Sequence, residues 1–242
     1  MELTMLRQTA RRGRLDALLH SNPAGNTAIS QLASILEPLD DRHSSRSTHV
    51  MSDVETADAL AGGTRLDQWH YNLLLQYLNT TGMEYHSAYQ ITPHVRGTLI
   101  LPPFTLLPRQ LNLDGRTYSI KASHAGNSHI QFYIPGAVGG AVDTGYIKAI
   151  WEIPLEGARQ IFFLVQRHQP LSPAQLRKTP YAHQPGSNLQ TKVVKVDNSN
   201  EVCIIEQRHI ICHLAVYENP PRAFDLTSKT MTVCWGLNRR RR

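Results

Sequence analysis

The chain has 242 residues, of which 41% are hydrophobic and 18% are charged, so it can bury a core and is not a highly charged, disordered class of protein. Three cysteines are too few for a disulfide framework, which fits a reducing compartment. No run of about eighteen apolar residues is present, which argues against a membrane-spanning helix. The net charge is +6, but four of the positive charges are the arginines at 239–242, so the basicity is largely a property of that tail.

Residues 1–62 are predicted to form a flexible, partly helical and poorly ordered N-terminal region. Two short helices are expected within its first 36 residues. From residue 39 to residue 63, aspartate, glutamate and serine replace large apolar residues, so this segment cannot bury enough surface to order itself. The boundary is placed at Gly62-Gly63, and residues 63–242 are predicted to form a helix plus a β-rich domain with a basic C-terminal tail.

The clearest helix signal begins near Asp67. Thr64 is predicted to cap this helix, with Asp67 three residues later in an acidic variant of the capping box. Gly82 is placed for a left-handed C-cap. Apolar and aromatic side chains recur between them at helical spacing, at Trp69, Leu73, Leu74, Tyr77 and Leu78. This stripe predicts one helix packed against a sheet.

The next segment is predicted to be extended. Prolines at 102, 103 and 108 exclude a helix and favour edge strands or polyproline II. Asp114-Gly115 can supply the positive φ values of a tight hairpin turn. A long loop is expected from residue 170 to residue 186, where prolines recur.

From residue 115 onward the sequence predicts a succession of short apolar strands. They are rich in β-branched and aromatic residues, and Gly, Pro, Asn or Asp separates most of them. The predicted strands are 115–121, 130–134, 145–152, 160–166, 191–196, 201–205, 210–217 and 230–235. The predicted fold class is therefore α+β, mostly β: a small β-barrel or sandwich with one packed N-terminal helix.

One Cys/His cluster stands out, formed by His209, Cys212 and His213, with Cys203 upstream and Cys234 downstream. These spacings lack the close pair of ligands that structural zinc requires. Strand alternation also places Cys212 and His213 on opposite faces. The prediction is a buried thiol beside a surface histidine, with no metal and no other cofactor.

Common catalytic and nucleotide-binding motifs are absent from the sequence. Asp143, Glu152 and Glu156 are too isolated for a two-metal carboxylate site. His124 and His129 flank a predicted turn and are a weak candidate ligand pair. No catalytic residue is assigned, and the chain is predicted not to be an enzyme.

Basic and aromatic residues interleave in the predicted strands, as they do on surfaces that bind nucleic acid. Lys148 and Arg167 are the predicted contacts within the strands. The tail residues Arg239, Arg240, Arg241 and Arg242 are the predicted phosphate contacts outside them. Three aromatic side chains forming a methyl-lysine cage are one hypothesis for the aromatic residues. The other is that they are simply core, namely Tyr133, Trp151, Phe162 and Phe163.

Four segments carry a family resemblance: Asp143-Thr-Gly-Tyr-Ile, Phe162-Phe-Leu-Val-Gln-Arg, Thr179-Pro-Tyr and His209-Ile-Ile-Cys-His-Leu-Ala. With them the chain resembles the C-terminal β-rich region of proteins encoded by fungal cut-and-paste DNA transposons. The catalytic domain of such transposases is RNase-H-like and lies outside the matched region. The resemblance therefore implies an accessory or remnant module rather than a working transposase.

A weaker similarity points to bromo-adjacent homology domains. It rests on Tyr146-Ile-x-x-Ile, the aromatic strand that follows, and Asn200-Glu-Val. In that family the sheet reads chromatin, which implies a chromatin ligand.

Together these features predict a non-enzymatic DNA- or chromatin-binding module, derived from a transposable element and located in the nucleus or cytoplasm. A protein–protein interaction domain and a non-functional transposon remnant are the alternatives. A third hypothesis is an enzyme that uses His124, His129 or the segment 209–213.

Overall fold

The computed structural model describes residue 58 and residues 61–90, 98–137, 140–183, 190–196 and 201–235. The predicted N-terminal region 1–62 lies almost wholly outside these residues, and so does the basic tail at 239–242. Neither helix of the described ranges has the length and apolar character needed to span a bilayer.

The described chain is mostly β, with two α-helices, α1 (Gln68–Thr80) and α2 (Pro173–Leu176). The strands in chain order are β1 (Thr64–Arg65), β2 (Tyr85–Ser87), β3 (Leu99–Leu101), β4 (Phe104–Thr105), β5 (Gln110–Leu113), β6 (Arg116–Ser119), β7 (His129–Tyr133), β8 (Val142–Leu155), β9 (Ala158–Arg167), β10 (Gln169–Pro170), β11 (Thr191–Lys195), β12 (Val202–Glu206), β13 (Ile210–His213), β14 (Ala215–Glu218) and β15 (Thr230–Cys234).

Five antiparallel strands form a central sheet in the order β12-β9-β8-β7-β13. The two longest strands, β8 with 14 residues and β9 with 10, lie side by side in its middle. Glu156 (φ 52°) and Gly157 (φ 72°) close the turn between them. Positive φ at both turn residues suits the right-handed twist of the flanking strands, so this turn fixes the register of the longest hairpin.

A second antiparallel sheet has the order β10-β11-β15-β14. Its two edge strands continue strands of the central sheet: β9 passes into β10 at His168, and β13 passes into β14 at Leu214. Smaller pairings join β1 to β4 and β2 to β3, and β5 to β6 in a hairpin. That hairpin turns at Asp114 (φ 51°) and Gly115 (φ 71°), which confirms the predicted tight turn.

Apolar side chains cover both faces of the central sheet. Helix α1 packs on one face, where Tyr71 and Leu74 lie against Trp151 and Phe162. The opposite face forms a second cluster, whose fully buried members include Ile130, Phe132, Ile147, Phe163 and Val165. The core hypothesis is confirmed for Trp151, Phe162 and Phe163. It is wrong for Tyr133, which is the last residue of β7 and is 46% exposed.

The predictions of a mostly β chain and a packed helix are confirmed, with corrections at particular residues. Thr64 does not cap α1 because it pairs in β1; Asp67 is the cap, and its Oδ1 accepts from His70 N at 2.9 Å. The predicted strand 210–217 is two strands that belong to different sheets. Helix α2 lies within the predicted long loop, where Ser172 and Gln175 form a capping box.

Candidate functional site

Where β9 crosses from the central sheet to the second sheet, two buried histidines meet. His129 on β7 is 3% exposed and His168 at the crossing is 5% exposed. Nδ1 of His129 lies 3.1 Å from Nε2 of His168, and the two rings stack. Nδ1 of His168 lies 3.1 Å from Oγ1 of Thr144 on β8. The three side chains therefore form a hydrogen-bonded chain across three strands.

Both imidazoles are neutral in the folded protein at neutral pH. Burial lowers the pKa of His129 to about 4, and the nearby Lys121 adds to this effect. Burial likewise lowers the pKa of His168 to about 3, with further contributions from His129, Lys192 and Lys121. A charged imidazole here would lose its hydration beside two ammonium groups, so the neutral pair is the form that the fold stabilises.

An ion-pair cluster flanks the histidine pair. Arg167 Nε donates to Asp143 Oδ2 at 2.6 Å, and Arg167 Nη1 donates to Glu201 Oε2 at 2.7 Å. Lys192 Nζ lies 3.5 Å from Asp143 Oδ1. Because Lys192 belongs to β11 and Asp143 to β8, the cluster connects the second sheet to the central sheet.

The buried histidine pair and the ion-pair cluster beside it have the contacts of a structural element. The imidazoles bond to each other and to Thr144, and the charges are paired. In the part of the chain that the structure describes, no three His, Cys, Asp or Glu side chains lie close enough together to hold a metal ion. The predicted pair of His124 and His129 does not form. His129 lies beside His168 instead, a pairing absent from the sequence-based hypotheses, and His124 is exposed on the loop before β7.

The Cys/His segment is divided between three environments. His209 Nδ1 accepts from the backbone N–H of Glu206 at 3.1 Å. The Cys212 thiol is buried and donates to Gln131 Oε1 at 3.5 Å. The His213 ring stacks on Tyr118 with 4.8 Å between centroids. The thiol of Cys212 is buried as predicted, but His213 is not a surface residue.

The two strand residues predicted to bind nucleic acid differ in their surroundings. Lys148 is exposed at a register shift of β8. Arg167 is half-buried, and its guanidinium contacts the carboxylates of Asp143 and Glu201. Lys148 thus presents a charge to solvent, whereas the charge of Arg167 is largely compensated. Their roles as nucleic-acid contacts remain predictions.

Charge is divided unevenly between the two sheets. The described residues 169–183, 190–196 and 214–235, which form the second sheet and its loops, contain six Lys or Arg against two Asp or Glu. The other described residues contain eight Lys or Arg against nine Asp or Glu. The six cations are Arg177, Lys178, Lys192, Lys195, Arg222 and Lys229. The basic tail at 239–242 follows the last strand of this same sheet in sequence.

An aromatic side chain projects from the second sheet. Tyr217 lies on the edge strand β14 opposite Thr232 of β15 and is 64% exposed, the highest exposure among the large apolar side chains of the described residues. Its neighbour Val216 faces the other way, toward the cluster of Val194, Met231 and Val233. Tyr217 and the concentration of cations were missed by sequence reasoning, because both depend on which strands share a sheet.

Comparisons of this chain with known proteins find no matching protein-family model, no matching curated protein and no matching solved structure. The resemblances to transposon-encoded proteins and to bromo-adjacent homology domains therefore stay predictions.

Proposed function

We propose that this chain is a non-enzymatic nucleic-acid-binding module whose ligand is DNA or chromatin. The observation that carries the proposal is the concentration of positive charge on the second sheet and its loops, in a chain whose other described residues are close to neutral. There are six cations against two carboxylates, and one of the six, Lys192, is paired with Asp143 of the central sheet. Clustered Lys and Arg side chains bind the phosphate backbone and release its counterions. The arginines at 239–242 would extend this charge.

We further propose that the two sheets pack as a small β-barrel or sandwich. Strand β9 continues as β10 and strand β13 continues as β14, so each of these chain segments hydrogen-bonds in both sheets. Strands that bend from one sheet to the other in this way form the corners of small closed or half-closed β-structures. An origin in a transposable element and a nuclear location belong to the same proposal, and they are supported only by the four sequence segments described above.

Neutralising the tail is expected to weaken DNA binding and to reduce its salt dependence. The slope of log K against log salt is negative, and each lost phosphate contact reduces its magnitude by about 0.9 on duplex DNA. Replacing all four arginines at 239–242 by glutamine should therefore reduce this magnitude by as much as about 3 to 4. The measurement is fluorescence anisotropy of a labelled duplex with the purified chain over a salt series.

Arg109→Gln is the control, because it removes an exposed cation outside the second sheet. An unchanged slope in the tail variant would remove the tail from the proposal. Absence of binding at low salt, for the unmodified chain on both duplex and single-stranded DNA, would contradict a nucleic-acid ligand altogether.

A protein–protein interaction domain is the second candidate, and one observation favours it. Five large apolar side chains with 39–54% exposure lie between the start of α1 and the segment after β4, at Trp69, Leu99, Ile100, Phe104 and Leu107. Exposed apolar groups that form a contiguous patch are typical of protein interfaces. Binding to a protein partner that is insensitive to salt, in a chain without DNA affinity, would favour this candidate.

A further inference from the structure

We propose that the outer face of the second sheet binds unpaired nucleotides, with a base stacked on Tyr217. This inference rests on the proposed function and specifies its surface and its ligand: single-stranded nucleic acid rather than a duplex. Four features of the sheet carry it, namely the direction of the side chains, the exposure of the ring, the placement of the charges and the geometry of stacking.

The register of the sheet defines this face. Tyr217 pairs with Thr232, and Thr232 pairs with Val193 of β11. Lys195 lies two residues beyond Val193, so its side chain leaves the sheet on the same side as Tyr217. The alternate residues face inward, where Val194, Met231 and Val233 are buried. The outer face therefore combines an aromatic ring, a hydroxyl and an ammonium group over three adjacent strands.

The ring of Tyr217 is exposed, whereas Val193 on the same face is buried under side chains from the flanking loops. Two strands away, in the same cross-strand row, this face is buried at Val193, because Leu171 and Leu226 from the flanking loops pack on it. The covering loops stop short of β14, which leaves the ring 64% exposed. An aromatic ring on an open sheet surface is a platform on which a base can stack.

The charges around the ring favour an anionic ligand. Lys195 lies on the outer face, whereas strand alternation directs Lys229, which immediately precedes Thr230, to the opposite face. Glu218 pairs with Met231, so strand alternation directs its carboxylate to the opposite face from Tyr217. Asp225 lies in the covering loop, between Arg222 and Lys229 in sequence. Among the described residues of β10, β11, β14 and β15, Lys195 is therefore the one charged side chain on the face of Tyr217.

The geometry of stacking a base on Tyr217 favours a single strand over a duplex as the ligand. In a duplex the base faces are already stacked on one another, so a ring on a broad sheet cannot reach them. In a single strand each base has a free face, while the phosphates remain available to lysine. The exposed ring, with Lys195 on the same face, thus fits a single strand better than it fits a duplex.

The test measures binding of a fluorescein-labelled oligothymidine of about fifteen nucleotides, which matches the site sizes of single-strand-binding sheets. Tyr217→Ala is expected to weaken binding by about five- to one-hundred-fold, because stacking of one base is lost. Tyr217→Phe keeps the ring and should bind within about twofold of the unmodified chain. Lys195→Gln should reduce the magnitude of the slope of log K against log salt by about 0.7, the value for one phosphate contact on a single strand.

Tyr133→Ala is the matched control, since Tyr133 is an exposed tyrosine of the central sheet. It should bind as the unmodified chain does, and thermal unfolding of every variant should confirm that the fold is retained. Equal binding by Tyr217→Ala and the unmodified chain would overturn this inference while leaving the proposed function intact. Tighter binding of a duplex of the same length, insensitive to Tyr217→Ala, would have the same effect. Failure of the unmodified chain to bind either form would overturn the proposed function as well.

Discussion

Replacing Gly145 with alanine is expected to lower the free energy of unfolding by about 2–3 kcal/mol, the cost of over-packing a well-packed site. A Cβ at this position would lie 2.5 Å from the carbonyl oxygen of Gln166 and 2.7 Å from Cγ1 of Val165. The oxygen belongs to the backbone of β9, which pairs with β8 along its length. Relief of the contact therefore requires the two central strands to move apart.

Urea denaturation of Gly145→Ala and of the unmodified chain measures this effect. Gly126→Ala is the control, because a Cβ there meets only the movable ring of His124, at 3.1 Å. The control should change stability by no more than about 0.5 kcal/mol, as is usual for surface positions. Equal stability of Gly145→Ala and the unmodified chain would show that β8 and β9 are packed less closely than described.

Acidification below pH 6.5 is expected to destabilise the fold through the buried histidine pair. In the unfolded chain both imidazoles bind protons near their ordinary pKa of 6.5, whereas burial lowers the pKa of His129 to about 4 and of His168 to about 3. Between these values the unfolded state binds more protons than the folded state. The free energy of unfolding therefore falls with decreasing pH, by about 1.4 kcal/mol per pH unit for each histidine.

Urea titrations between pH 7 and pH 4 test this linkage by comparing slopes. His129→Gln/His168→Gln removes both proton acceptors, so its stability should depend on pH less steeply than that of the unmodified chain by about 2–3 kcal/mol per pH unit. Lys121, Lys192 and Asp143 stay in place in this variant, so the difference isolates the two imidazoles. His124→Gln, at an exposed position, should follow the unmodified chain. Identical slopes for the double variant and the unmodified chain would contradict the prediction.

Most of the strands from β6 onward were predictable because each is encoded locally, whereas the short strands β1, β2 and β10 were not predicted. Runs of β-branched and aromatic residues mark β7, β9 and β11 whatever their partners are. The passage of residues 210–217 between two sheets was not predictable, since nothing in its uniform apolar pattern marks Leu214 as the crossing. The cap of α1 was misplaced for a related reason: Thr64 has the right chemistry for a cap, but its pairing with Thr105 places it in a strand.

The candidate sites were less predictable than the fold, because they depend on register. His129 and His168 lie 39 residues apart in sequence, and only the pairing of β7, β8 and β9 brings their rings together. Tyr217 is one of several aromatic residues in apolar strands, and its exposure follows from the edge position of β14. Arg167 was predicted as a nucleic-acid contact because it is a cation in a β-rich segment. In the structure its charge is compensated by two carboxylates, Asp143 and Glu201, that lie far from it in sequence.

The order of strands in the second sheet has a consequence for biosynthesis. Strand β15 is the last strand described, yet it lies between β11 and β14 and is the partner of both. Until residues 230–234 leave the ribosome, β11 and β14 have no common neighbour, so the second sheet cannot assemble before that point. The nascent chain must keep its apolar strands from aggregating over that interval. Assembly of the second sheet therefore waits for the synthesis of β15, the strand that joins β11 to β14.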